Sequence, residues 1–314
     1  MPTSTRRSPP TSGGSDALAR ARRRFPIEVA DAPSDDPALS AARRSNMAVR
    51  IGTAAVLIAV VLAALIAGSV WVYAAMAVVL GAALIEYWQL TRAMGTPAPL
   101  WLLFPLSYAL LLRDRLPAGA SLAVLLAAAT VLGLTTLVLV RDWRGSLTRW
   151  ALAVGGSLYL AFTLSFYLSL YFLHQPDPNH LGFGYVIAIF GAIWVGDTAA
   201  MVAGLRFGRH HFFARISPKK TVEGAVAELL ASTVFFAIVG LLVNISFPHN
   251  LIIGLLIGIF AQVGDLVESQ IKRTAGVKDA SHLIPGHGGI LDRIDSLLLV
   301  GVVVYYYVTS LHLA

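Results

Sequence analysis

"IGTAAVLIAVVLAALIAGSVWVYAAMAVVLGAALI", Ile51 to Ile85, runs for 35 positions without a charged residue, and it decides the fold. Lipid offers no water to the backbone, so a chain crossing it satisfies its amides internally, in helices or a closed barrel. A barrel strand alternates apolar and polar residues, whereas this run is apolar on every side. Similar runs recur to the C-terminal end, and 57% of the chain is hydrophobic against 13% charged. The mean hydropathy of +0.72 lies well above that of a soluble domain. The expected fold is an all-α polytopic membrane protein.

Nine spans of near-bilayer length are expected, close to 51–67, 70–90, 99–112, 119–140, 151–173, 182–204, 225–245, 250–269 and 291–312. The third is short and contains Pro105. Residues 1–49, rich in Ser, Pro, Gly and Arg, read as a disordered cytosolic tail rather than a signal peptide. Residues 50–180 then form N-terminal transmembrane helices and 181–314 a catalytic transmembrane region. Basic residues set topology. The tail through Arg50, "RDWRGSLTR", "RFGRHHFFARISPKK" and the segment after Ser269 are basic, while "HQPDPNH" and "ISFPHN" carry no Lys or Arg. That pattern puts the N-terminus in and the C-terminus out, with the loop of Arg113 and Arg115 as one exception. Cysteine is absent, which excludes disulfides, thiolate metal sites and thiol redox chemistry. The net charge of +7 reads as topology and attraction to anionic lipid, not as nucleic-acid binding.

Of 24 Lys and Arg residues only four are lysines, Lys219, Lys220, Lys272 and Lys278, all in two short polar segments. Acids within the apolar spans are costly and point to function. Asp197, Glu228 and Asp265 each lie within roughly 15 Å of the cytosolic end of their helix, at 1.5 Å per residue. They are in reach of one polar cavity open to the cytosol. Glu86 has the same depth but no motif around it, so it reads as an ion-pair or interhelical hydrogen-bond residue.

The segment Ile271–Asp295, "IKRTAGVKDASHLIPGHGGILDRID", carries most of the chemistry. Asp265, Glu268 and Lys272 fall on one helix face. Pro285, Gly288 and Gly289 mark a tight turn whose amides lie near a helix N-terminus, where anions bind. Asp292, Asp295 and Ser296 share a face of the following helix. Asp265 and Asp292 thus flank a polar loop and can share Mg²⁺, whose preferred ligands are oxygens. Lys272, Lys278, Arg273 and Arg293 supply counter-charge for phosphates. His287 is suited to bind phosphate or orient Asp292, while His210, His211 and His282 read as interfacial residues. In "ISPKKTVEG", Ser217 begins a turn, Lys219 and Lys220 are adjacent cations, and Thr221 and Glu223 can cap the next helix. This is equipment for phosphoryl or nucleotidyl transfer, where positioning and charge neutralisation dominate.

At these residues the chain resembles the phosphatidate cytidylyltransferases, or CDP-diacylglycerol synthases. Their signature is filled without a gap by Ser269, Ile271, Lys272, Arg273, Lys278, Asp279, Ser281, Ile284, Pro285, His287, Gly288, Gly289, Ile290, Asp292, Arg293, Ile294 and Asp295. "GDLVES" and "FGRHHFFARISPKKTVEG" are similar to family segments in the expected order. Ala199, Met201 and Val222 depart from the Gly, Tyr and Trp common in the family, at positions expected to shape the cavity.

The resemblance implies transfer of the cytidylyl group of CTP to phosphatidic acid, giving CDP-diacylglycerol and pyrophosphate with Mg²⁺. It implies Asp265 and Asp292 as metal ligands and catalytic residues, with Lys220 and Lys272. Ser217, Lys219, Arg273, Lys278, Asp279, His287, Gly288, Gly289, Arg293, Asp295 and Asp197 are the expected substrate contacts. The implied setting is the bilayer of the plasma membrane, with the site facing the cytoplasm. There is room for a homodimer and for a second, monovalent cation. The competing readings are a CTP-dependent polyprenol kinase, against which the complete signature argues, and a transporter, which calls for polar groups at both leaflets.

Overall fold

The computed structural model describes residues 52–53, 55–117, 121–139, 145–173, 181–243, 245–281, 283 and 288–311. The tail expected over 1–49, Ile284, Pro285 and His287 of the signature, and the neighbouring His282, lie outside the described residues. Among the described residues the long elements are all helices, and His211 and Thr221 form an isolated β-bridge. In chain order they are α1 (Ala55–Ala67), α2 (Ser69–Ala93), α3 (Leu100–Leu111), α4 (Leu122–Leu139) and α5 (Ser146–Tyr171). There follow α6 (Leu181–Phe207), α7 (Val222–Val239), α8 (His249–Thr274) and α9 (Leu291–Ser310). A short 3₁₀ turn, Arg113–Arg115, follows α3, and a π-helical turn, Leu158–Phe162, interrupts α5.

Each expected span coincides with one of these helices. Six of them (α2, α4, α5, α6, α7 with its 3₁₀ extension, and α8) are long and apolar enough to cross a membrane by length and composition. The twelve residues of α3, with Pro105 inside, rise about 18 Å, short of a ~30 Å hydrocarbon core. The 20-residue α9 is long enough but carries Asp292, Arg293 and Asp295 in its first five residues. Large aliphatic side chains such as Val138, Leu205 and Leu242 project outward, which suits lipid rather than water.

The interior is a column of Leu, Ile and aromatic side chains, among them Leu80, Leu103, Leu160, Ile189, Phe236, Ile253 and Leu298. Helices α6, α7, α8 and α9 pack in sequence, α7 against α6 and α8, α9 against α8. The second half of α5 lies behind α9. Its register is set by polar pins. Tyr87 on α2 donates to the Leu152 carbonyl (3.0 Å), and Tyr167 on α5 donates to the Leu297 carbonyl (2.9 Å). Tyr167 also fills the space beside Gly301, and Phe166 packs its ring on Tyr305 and Tyr306. These contacts tie α5 to α2 near Leu152 and to α9 near Leu297 and Gly301.

Candidate active site

The site begins with a close helix crossing. A Cβ at Gly264 would collide with the Asp295 carbonyl, so a glycine there lets α8 and α9 approach closely. Asp265 and Glu268 of α8 are thereby set beside Asp295 of α9. Ligand oxygens of these three carboxylates lie within 4.8 Å of one another, a spacing at which one cation can bridge them.

Two lysines are set against this group. Lys220 Nζ lies 2.6 Å from Asp265 Oδ2, and Asp265 Oδ1 accepts a hydrogen bond from Ser269 Oγ at 3.2 Å. Lys272 Nζ pairs with Glu268, one turn earlier, and with Asp292 Oδ1 at 2.5 Å. The other Asp292 oxygen accepts from the amides of Gly289 (2.8 Å) and Ala280 (3.2 Å). Glu268 is fully buried, and its Oε1 has no hydrogen-bond partner among the described residues. Asp197 on α6 lies within electrostatic reach of Asp265, Lys220 and Arg293. Buried Glu228 on α7 is within reach of Asp197, Lys220, Asp265 and Asp295. Six carboxylates from four helices therefore converge, with Lys220, Lys272 and Arg293 among them. Carboxylates in excess of their counter-cations call for added positive charge.

The segment before α7 presents Lys219 beside Lys220. Thr221 caps α7 by accepting from the Gly224 amide at 3.1 Å. Glu223 turns back instead to His210 Nδ1 (2.7 Å) and the Arg209 amide (3.2 Å). Backbone bonds from Phe212 to Lys220 (2.9 Å) and from Val222 to His210 (2.8 Å) close the loop. A cavity of about 320 Å³ opens here, lined by Met201, Lys219, Lys220, Thr221, Glu228 and Gln262. Met201, one of the departures from the family pattern, thus shapes it. The Ser217 carbonyl accepts from the Lys220 amide (3.2 Å). Arg273 donates to the carbonyls of Ile216 (3.2 Å) and Val277 (3.3 Å), joining the two polar segments. Lys278 and Asp279 are exposed on the second of them.

Two contributors were not in the expected site. Glu268 carried a place on the helix face of Asp265 but no assigned role. Glu86 was read as an interhelical hydrogen-bond residue, and it is one, directed at the signature itself. Buried on α2, it accepts from Ser281 Oγ (2.6 Å) and from the amides of Ile290 (2.9 Å) and Leu291 (2.7 Å). A Cβ at Gly289 would come within 2.6–2.8 Å of that carboxylate, and Gly288 adopts φ +82°, so the turn requires glycine at both positions. The anion at the N-terminus of α9 is the protein's own Glu86. The Gly289 amide meets Asp292.

Comparison with known proteins gives the family. The profile of the Cytidylyltransferase family matches residues 48–311. The phosphatidate cytidylyltransferase of Staphylococcus saprophyticus is 40% identical over 136 residues, 43% of this chain and 52% of that protein. That of Staphylococcus haemolyticus is 38% identical over the same shares, so the chain matches about half the length of these relatives. The phosphatidate cytidylyltransferase of Synechocystis is 34% identical over 287 residues, 83% of this chain and 96% of that protein. The match over most of the chain, with the signature at the convergence of carboxylates and lysines, establishes that this protein belongs to the cytidylyltransferase family.

Proposed function

We propose that this chain transfers the cytidylyl group of CTP to phosphatidate, forming CDP-diacylglycerol and releasing pyrophosphate. The observation that carries this reading is the convergence, in a family member, of six carboxylates on helices α6 to α9 with Lys272 of α8 and Lys220 of the segment before α7. The phosphate monoester of the lipid is already anionic at neutral pH, so its oxygen attacks the α-phosphorus without a strong general base. A P–O bond forms there as the bond to the β-phosphate breaks, and pyrophosphate leaves.

A divalent cation fits the donor set. The oxygens of Asp265, Glu268 and Asp295 are hard ligands close enough to share an ion, and Glu268 retains an unpartnered oxygen. The signature implies Asp265 and Asp292 as ligands, and Asp292 faces the same group through Lys272. All-oxygen ligation favours Mg²⁺, which when bound offsets charge on the phosphates. Lys219 and Lys220 line the cavity and meet triphosphate oxygens. Lys272 holds Glu268 and Asp292 in place. Arg273 keeps the two polar segments together, and Glu86 fixes the turn that orients Asp292.

On this reading the polar segments face the cytoplasm at the plasma membrane, N-terminus in and C-terminus out, and the distribution of basic loops supports it. A headgroup then enters from the inner leaflet and the nucleotide from the cytosol. The test supplies purified protein with phosphatidate, Mg²⁺ and CTP labelled at either the α- or the γ-phosphate. The reading expects lipid label from the α position only. Label from the γ position would assign a lipid kinase, and no label from either would overturn the reading.

A further inference from the structure

The hydroxyl of Tyr159 is sealed from solvent and has no hydrogen-bond partner among the described residues. Its neighbours of the same type are all satisfied. Tyr87, Tyr167 and Tyr171 donate to the carbonyls of Leu152, Leu297 and Leu65. An orphaned buried hydroxyl is costly to retain, so one that persists amid satisfied neighbours calls for a ligand.

Its place in the fold says which ligand. Tyr159 lies in the π turn Leu158–Phe162, and such turns inside α-helices are frequent at functional sites. On the α2 side, Tyr87 reaches Leu152 of α5 while the adjacent Glu86 reaches Leu291 of α9. Further along, Tyr167 meets Leu297 and Gly301. Tyr159 falls midway between Leu152 and Tyr167, which puts it level with Asp295 on α9. Asp295, Glu268 and Asp265 are all within electrostatic reach of its phenol. Those are the three carboxylates whose oxygens approach one another within 4.8 Å. The other buried polar side-chain atoms without a hydrogen-bond partner among the described residues belong to Glu268 of this same group, and Lys272 pairs with one of them. Two buried groups without partners, on separate helices, thus belong to the surroundings of the same three carboxylates.

We propose that Tyr159 donates its hydroxyl proton in a hydrogen bond to an oxygen carried by the cation at Asp265, Glu268 and Asp295, either a bound water or a phosphate oxygen of the nucleotide. The N-terminal helices thereby contribute a direct contact to the bound ligand, outside the signature. This rests on the divalent-cation reading of the site given above.

The test uses the full-length protein with Tyr159→Phe, which removes the hydroxyl and nothing else. Mn²⁺ binding is measured by electron paramagnetic resonance, alone and with a non-hydrolysable CTP analogue, beside thermal melting of the metal-free protein. The variant is expected to melt at the same temperature as the wild type or higher, because the orphan is gone. It should bind Mn²⁺ about tenfold more weakly, as for other groups that support a metal site from its second layer. A loss with Mn²⁺ alone assigns the oxygen to water, and a loss only with the analogue assigns it to phosphate. Unchanged affinity in both arms would overturn the proposal. So would a lower melting temperature with unchanged metal affinity, which would make the hydroxyl structural. If the wild-type protein bound no Mn²⁺ at all, the cation reading itself would fall, independently of Tyr159.

Discussion

Two regions of this molecule gather cations, and they use them differently. At Arg113–Arg115 the guanidinium groups lie over aromatic faces. Arg113 stands 4.7 Å from the ring centre of Phe162 and 4.2 Å from that of Phe166. Arg115 lies over Tyr73 and Phe172 and donates to the Tyr73 hydroxyl at 2.6 Å. Around the convergent carboxylates Lys220 rests on Asp265, and Lys272 on Glu268 and Asp292, rather than on rings. A guanidinium is flat and weakly hydrated, so it stacks, whereas an ammonium is a compact charge that a phosphate can recruit. Tyr73 and Glu86 mark the two regions on α2, 13 residues and so about 20 Å apart. The loop that broke the basic-loop pattern is thus a pair of arginines held against aromatic rings, while Lys220 and Lys272 are held by carboxylates.

The comparison predicts a steep gradient of effects. Replacing Lys272 by Met leaves Glu268 and Asp292 paired with no cation. Losing one partner of a buried pair costs about 3–5 kcal/mol, so this variant should show the largest loss of thermal stability together with loss of turnover. A stable, active variant would mean that Lys272 is a bystander. Glu86→Ala comes next. It strips three hydrogen bonds from the glycine turn and should lower stability by ~3 kcal/mol. Loosening Asp292 should reduce kcat by roughly tenfold to a hundredfold, with Glu86→Gln milder because one acceptor oxygen remains. Kinetics of the two variants side by side check that order. Arg113→Ala should be the mildest. Melting should fall by only about 1 kcal/mol, the worth of its cation–π contacts, and activity should stay within about twofold of wild type, a difference of under 1 kcal/mol. A loss of activity comparable to that of the lysine variant would erase the distinction between the regions.

Much of this was legible in the sequence. Long apolar runs forced helices, and every expected span is one. The spacing of Asp265, Glu268 and Lys272 fixed a shared face, and the Lys272–Glu268 pair follows from it. Thr221 announced the start of α7. What escaped depends on contacts between distant residues. Glu86 meets Leu291 across 205 positions, and a lone acid in an apolar run carries no sign of its partner. Nothing in the helix face of Asp265 reveals that Gly264 admits Asp295 beside it, so the close carboxylate group contains Asp295 where the loop geometry had suggested Asp292. Tyr159 looks like any core aromatic until its hydroxyl is seen to lack a partner. The number of helices long enough to cross a membrane also depended on where turns fall, as the twelve residues of α3 show.

The most direct measurement is pyrophosphate release by purified wild-type protein and by Asp265→Asn, with CTP, phosphatidate and Mg²⁺, each protein shown to be folded by its melting curve. The account predicts release that requires both the lipid and the metal in the wild type, and a fall of about a thousandfold or more in the variant, equal to ~4 kcal/mol of lost transition-state stabilisation. A folded Asp265→Asn protein that released pyrophosphate at the wild-type rate would contradict it.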